Sequence, residues 1–97
     1  MPYLTVHRLA GDPKELLKRK RERFDPVIDR LAPQHGAIFS VVAEGEDEVV
    51  IVNLWESPQG PQALVTSPEA HDVQQASGMP APSSFEQYRD VEYKPYR

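Results

Sequence analysis

Alternating apolar and polar residues predict three strands in this chain. The run from Tyr3 to Leu9 (YLTVHRL) alternates and is rich in strand-forming residues, so it is expected to be the first strand. Two further β-rich runs, Ala37 to Ala43 and Glu48 to Trp55, flank the acidic sequence EGED, which contains Gly45. A short turn with glycine between two such runs predicts a β-hairpin.

A helical repeat separates the first strand from the hairpin. Its apolar residues recur at spacings of seven, four and three: Leu17, Phe24, Ile28 and Leu31. The helix is expected to begin at Pro13, with Asp12 as its cap. Pro26 lies inside the repeat and lacks a backbone donor, so we expect a kink or a restart near Phe24–Asp25. Gly36, just after the helix, can take a left-handed conformation and end it.

The second half of the chain predicts two short helices and a last strand. The segments Ser57 to Thr66 and Ser67 to Ala76 both begin with Ser-Pro, which suits a helix cap followed by proline at the first helical position. Strand-like residues then run through Tyr88 to Tyr93. The order β-α-β-β-α-β predicts an α+β fold of the ferredoxin-like split βαβ type, with helices on one face of an antiparallel sheet. At 97 residues, the chain is expected to form one domain over residues 1–97.

Both faces of this predicted sheet are apolar. In strands one and three, the apolar residues that share one face of the sheet are Leu4, Val6, Val50, Val52 and Leu54. The apolar residues on the opposite face are Val49, Ile51 and Trp55. The predicted helices can cover only one face, and we expect no other part of the chain to cover the second. A homodimer formed by sheet stacking is therefore expected. Packing at this interface is expected for the aromatic residues of the tail, Tyr88, Tyr93 and Tyr96.

Composition and charge exclude several classes of function. The net charge of −4 argues against a nucleic-acid partner and against an anionic membrane surface. Residues of the basic run KRKRER (Lys18 to Arg23) can form the pairs Glu15–Arg19 and Lys18–Glu22 at helical i,i+4 spacing, so the run predicts a solvated helix face. The absence of cysteine excludes disulfides and thiolate metal sites. No signal-like start and no apolar run of about 20 residues is present, so a cytoplasmic location is expected.

The end of the third strand carries a family resemblance. The apolar run VVIVNLWES ends in Trp55, Glu56 and Ser57, and a helical segment then leads to Ser67 and Pro68 in TSPEAH. Together with the element order over nearly all the chain, this pattern resembles the antibiotic-biosynthesis-monooxygenase-like domains of the dimeric α+β barrel superfamily. The resemblance implies a homodimer with a substrate cavity between the sheet and the helices of each subunit.

The resemblance supports two hypotheses of function, because the superfamily spans several activities. The first is a small cofactor-independent monooxygenase that acts on an aromatic or quinone-type molecule, in which an electron-rich substrate anion itself reacts with oxygen. The second is a non-catalytic, ligand-binding or stress-related homodimer whose ligand the sequence does not identify. The residues leave open whether any reaction is catalysed.

Haem-degrading members of the superfamily have an asparagine, a tryptophan and a histidine at three functional positions. This chain has His7, Leu64 and Gln74 at those positions, so all three residues differ. The resemblance therefore predicts neither haem nor another metal or cofactor. His71 lies three residues before the ligand position, and its role is left open.

Five residues are candidates for the site. His7 is the candidate for proton transfer, because an imidazole titrates near neutral pH, although it could equally be a hydrogen-bonded strand residue. Asn53 could donate a hydrogen bond to a carbonyl or to a reduced-oxygen intermediate, or it could pair with neighbouring backbone. Trp55 could form the wall of a cavity, but a tryptophan at a strand end more often packs under the next helix. Phe24 and Phe39 complete the set of expected substrate-binding residues.

Overall fold

The computed structural model describes residues 2–96 and contains one antiparallel sheet of four strands. The strands are β1 (Tyr3–Ala10), β2 (Ala37–Glu44), β3 (Glu48–Trp55) and β4 (Ser84–Arg89). They are ordered β2-β3-β1-β4, so β1 and β3 are central and β2 and β4 are the edges. Each neighbouring pair is antiparallel. This arrangement confirms the predicted α+β fold of the ferredoxin-like type.

The helices lie between β1 and β2 and between β3 and β4. They are α1 (Pro13–Arg19), a π-helical segment (Lys20–Phe24), α2 (Asp25–Leu31), a 3-10 turn (Ala32–His35), α3 (Gln59–Val65) and α4 (Pro68–Ala76). Within residues 2–96, no helix combines the length and the apolar character needed to cross a bilayer.

The predicted break in the first helix is confirmed, and it takes the form of the π-helical segment. Pro26 has no N–H to give to the carbonyl of Glu22, so the regular ladder is interrupted there. The N–H of Asp25 donates instead to the carbonyl of Lys20, five residues back. The wider turn changes which side chains of this helix face the sheet.

The predicted helix caps are confirmed at Asp12 and Ser67 and wrong at Ser57. The side chains of Asp12 and Ser67 accept hydrogen bonds from the first turns of α1 and α4. The N-cap of α3 is Pro58, and no side chain caps it. Gly60, in the first turn of α3, is tightly packed: a β-carbon there would overlap the His35 carbonyl oxygen and the Trp55 ring.

The last strand ends earlier than predicted. It stops at Arg89, and Asp90 has a left-handed backbone with φ of 56°, so the predicted strand through Tyr93 is wrong. The ring of Tyr93 packs edge-to-face against Phe39 of β2, with the centroids 6.0 Å apart. Because β2 and β4 are opposite edges of the sheet, the tail crosses the face that the helices leave open.

This crossing corrects the prediction that no part of the chain covers the second face. Leu54 is fully buried, and in register it lies beside Leu4 and Phe39 on the face away from the helices. The tail covers this end of the face. Farther along, Val41 remains 53% exposed, so part of the face stays apolar and open.

On the helix side, the core consists of two separate clusters at the two ends of the sheet. One contains Leu9, Leu16, Leu17, Val49 and Met79. The other contains Leu31, Trp55, Leu64 and Ala70. The register places Leu9 opposite Val49 at one end of the sheet and Tyr3 opposite Trp55 at the other. Between these ends, the rows of side chains that lie next to one another across the strands belong to neither cluster.

Candidate functional site

A cavity of about 900 Å³ occupies the space between the sheet and the helices. Its floor is the middle of the sheet, and its walls come from the first helical region, α3, α4 and the loop before β4. The two core clusters hold the helices on the sheet at its ends, which leaves the middle rows uncovered. A largely apolar cavity of this size, with a few polar groups, is typical of small-molecule sites.

A row of four polar residues, one from each strand, crosses the helix-facing side of the sheet, and all but the fully buried Thr5 line the cavity. In register from β4 to β2, they are Gln87, Thr5, Asn53 and Ser40. Two of the four are engaged with neighbours: Thr5 Oγ1 accepts from Trp55 Nε1, and Gln87 Oε1 accepts from the Tyr3 hydroxyl. The half-buried Asn53 amide makes no side-chain hydrogen bond to any other residue between 2 and 96. Its donors and acceptor are thus available to a ligand.

The next row of the floor contains His7, between Phe85 on β4 and Ile51 on β3. The imidazole lies in a tilted contact with the Phe85 ring, with centroids 4.7 Å apart and planes at 49°. Burial lowers the pKa of His7, because the charged imidazolium is poorly solvated there. The ring is therefore neutral at pH 7 and able to accept a proton.

The structure brings three of the five predicted site residues together on the cavity walls. His7 and Asn53 lie on the floor, and Phe24 faces them from the π-helical segment. Phe39 contributes to the rim on β2 while its ring packs against the tail. Trp55 is only 3% exposed, lies in the core with Leu31 and Leu64, and is not part of the cavity lining.

The sequence analysis missed a buried ion pair on the helical wall. Lys20 belongs to the run predicted to be a solvated face, but it is buried, and its ammonium lies 2.8 Å from Asp25 Oδ1. Both residues line the cavity. The sequence did contain an indication that Lys20 is buried. Lys20 follows Leu17 by three residues and precedes Phe24 by four, which places it on the apolar stripe of the helix.

The remainder of the basic run behaves partly as predicted. The Glu15–Arg19 pair is confirmed at 3.3 Å. The predicted Lys18–Glu22 pair is not formed within the described part of the chain. Lys18 is exposed, as a solvated face requires.

His71 and two glutamines add polar groups to the walls. His71 and Gln74 line the cavity from α4, and Gln62 lines it from α3. The Nε2 atom of His71 lies 3.3 Å from Gln75 Nε2. Among residues 2–96, no group of three or more histidine, aspartate or glutamate side chains is placed to hold a metal ion.

Comparison of the whole chain with solved structures finds close matches in fold. SnoaB, a cofactor-independent oxygenase from Streptomyces nogalater, matches at a TM-score of 0.72 and 14% identity, over 97% of both chains. Rv0793 from Mycobacterium tuberculosis matches at 0.71 and 15%, over 98% of this chain and 100% of its own. A candidate antibiotic biosynthesis monooxygenase from Chloroflexus aurantiacus matches at 0.67 and 17%, over 98% of both chains.

Sequence comparisons add no closer relation. No protein-family profile matches the chain, and no curated protein sequence matches it. The structural matches have only 14–17% identity, so what they establish is the fold. That fold is shared with SnoaB and with the candidate antibiotic biosynthesis monooxygenase from Chloroflexus aurantiacus.

Proposed function

We propose that this protein is a cofactor-independent monooxygenase that acts on an aromatic or quinone-type molecule in the cavity between sheet and helices. One observation carries the proposal: His7 and Asn53 lie on adjacent strands, one row apart, on the floor of the same largely apolar cavity. A planar apolar ligand would fit between the sheet and Phe24, with its polar edge on these two residues. The fold shared with SnoaB, a cofactor-independent oxygenase, supports the proposal.

The proposed reaction begins with proton transfer to His7. The neutral imidazole takes a proton from a methylene carbon that is acidified by neighbouring aromatic rings and a carbonyl. The electron-rich carbanion passes electrons to O₂ and forms a carbon–oxygen bond, and the protonated His7 returns its proton to the peroxide. Loss of water breaks the O–O bond and the second C–H bond, so that R₂CH₂ and O₂ give R₂C=O and H₂O.

Asn53 would orient the substrate during these steps. Its side-chain N–H donors can stabilise the oxygen on which charge develops after the proton leaves. Trp55 would act only indirectly, since its indole N–H holds Thr5 in the row that contains Asn53.

Oxygen uptake in the presence of anthrone tests the proposal. With ¹⁸O₂, the expected product is anthraquinone carrying one labelled oxygen, with the second atom of label in water. The H7A variant is expected to lose most of the rate above background, about 100-fold or more. The H35A variant is the control, because His35 is not part of the cavity lining. An H7A rate equal to that of the wild type would end the proton-transfer role.

The alternative function is non-catalytic binding of an apolar ligand in the same cavity. The His7 imidazole packs against the Phe85 ring, with the ring centroids 4.7 Å apart. This packing is compatible with a residue that only contacts a bound ligand, and equally with a residue that transfers a proton. Tight binding of planar aromatic molecules with no oxygen uptake would favour this alternative.

We also propose that the protein forms a homodimer by stacking the open faces of two sheets. The open part of the face carries Val41, Val50 and Val52, beyond the end that the tail covers. Tyr88, which is 49% exposed, lies on the same face. A chain without cysteine suits the reducing cytoplasm, where we propose that the dimer acts.

A further inference from the structure

Within residues 2–96, the helical wall of the cavity holds one buried cation, Lys20, which the reaction proposed above does not use. The Lys20 side chain is 11% exposed and that of its partner Asp25 is 23% exposed. Their 2.8 Å contact is a charge-assisted hydrogen bond. A buried ammonium requires such a partner, because an unpaired charge in an apolar setting is strongly disfavoured.

The π-helical segment is what makes this pair possible. An α-helix turns about 100° per residue, so side chains five residues apart point about 140° away from each other. Lys20 and Asp25 are five residues apart and would not meet on a regular helix. The π turn, closed by the Asp25 N–H and the Lys20 carbonyl, has more residues per turn and brings both side chains to the cavity side.

The Lys20 ammonium has hydrogen-bonding capacity beyond this pair. An ammonium has three N–H donors. Within residues 2–96, Asp25 is the one side chain that accepts a hydrogen bond from it. Because Lys20 lines the cavity, its remaining donors can reach a ligand bound there.

We propose that Lys20, positioned by Asp25, binds a carbonyl or hydroxyl oxygen of the cavity ligand. This inference rests on the proposed function, since it concerns a ligand of the same cavity. Lys20 lies on the helical wall, and His7 and Asn53 lie on the floor opposite. The ligand class that fits is therefore a planar molecule with oxygen substituents on two edges. One oxygen would bind Lys20 on the helical wall, and the other would bind the floor residues.

The charges around the cavity exclude a highly charged ligand. Asp25 neutralises Lys20, and a second carboxylate, that of Asp29, also lines the cavity from an exposed position. Among residues 2–96, the wall thus presents no excess positive charge to hold a phosphate or a dicarboxylate. Lys20 contributes hydrogen bonds to an acceptor oxygen, and these favour a neutral or phenolic ligand.

Two ligands that differ only in a carbonyl in place of a methylene group test this inference. 1-Tetralone and tetralin share a bicyclic skeleton, but only the tetralone has a carbonyl acceptor. We expect tetralone to bind the wild-type protein about tenfold more tightly than tetralin, as for a hydrogen bond to a charged group. In K20M, this ratio is expected to fall to about one. Both affinities are measured by titration calorimetry on the same preparation, so a change in the folded fraction cancels from the ratio.

The control variant is K18M, which removes an exposed lysine from the same helix and is expected to keep the tenfold ratio. K20Q retains a neutral donor and is expected to give an intermediate ratio, which also answers the question if K20M does not fold. An unchanged ratio in K20M and K20Q would overturn the role of Lys20 and leave the cavity proposal standing. Failure of both ligands to bind the wild-type protein would overturn both proposals.

The charge argument has its own test. 1-Naphthol is expected to bind the wild-type protein more tightly than 1-naphthyl phosphate. In D25N, which leaves Lys20 without its counter-ion, the affinity for the phosphate is expected to rise about tenfold relative to that for the naphthol. Tighter binding of the phosphate to the wild-type protein would overturn the assignment to neutral or phenolic ligands.

Discussion

The indole N–H of Trp55 donates a hydrogen bond of 3.0 Å to Thr5 Oγ1, and both residues are buried between the sheet and the helices. The bond joins the helix-side core to the floor of the cavity, because Thr5 lies in register between Asn53 and Gln87. The predicted packing role of Trp55 thus includes a polar contact that fixes the neighbouring site row.

The first prediction concerns the stability contributed by this bond. T5V keeps the shape of the side chain but leaves the indole N–H buried and without a partner. The free energy of unfolding is expected to fall by about 1–3 kcal/mol. T5S retains the hydroxyl and is expected to lose less. Urea unfolding followed by tryptophan fluorescence measures both, and equal losses in the two variants would contradict the prediction.

The second prediction concerns pH. Burial lowers the pKa of His7 in the folded state, so the unfolded chain binds a proton at that residue more readily. The contribution of His7 to stability is fully present above the pKa that this residue has in the unfolded chain, about 6.5. It is lost as the pH falls from that value towards the lower pKa of the folded state. H7N is expected to show a smaller fall in unfolding free energy between pH 7.5 and 5.5 than the wild-type protein. An H7N slope equal to that of the wild-type protein would contradict the prediction.

The third prediction concerns the proposed dimer. V41E places a charge on the open sheet face, where a stacked partner would bury it, so it is expected to give monomers. V65E places the same charge on an exposed residue of α3, on the helix side, and is expected to remain dimeric. Sedimentation velocity at micromolar concentration distinguishes the two states. Wild-type protein that sediments as a folded monomer would contradict the proposal.

The fourth prediction concerns the tail. Y93A removes the ring that packs on Phe39, and is expected to lower the free energy of unfolding by about 0.5–1.5 kcal/mol beyond the loss of buried area. Y96A is the control, because Tyr96 is 88% exposed. A loss in Y96A as large as that in Y93A would show that the Phe39 contact contributes nothing specific.

The sequence by itself determined the elements and their order. Alternation predicted β1, β2 and β3 to within a residue or two, and Pro26 predicted the break in the first helix. Gly36 has a φ of 86°, as its place after the helix predicted. These features depend on neighbours in sequence: side-chain period, a missing donor and a glycine at a left-handed position. The structure places two of the predicted site residues, His7 and Asn53, on one face of the sheet and in the cavity lining.

Only the tertiary structure decided what depends on residues distant in sequence. The path of the tail, from Asp90 back to Phe39, is set by packing across the sheet. Trp55 lies outside the cavity lining and packs in the core with Leu31 and Leu64, and Gly60 of α3 packs closely against its ring. Lys20 is the clearest case, since a run of charges predicts solvent. Its burial follows from a π turn and a carboxylate five residues away, and a regular helical period cannot reveal that pairing.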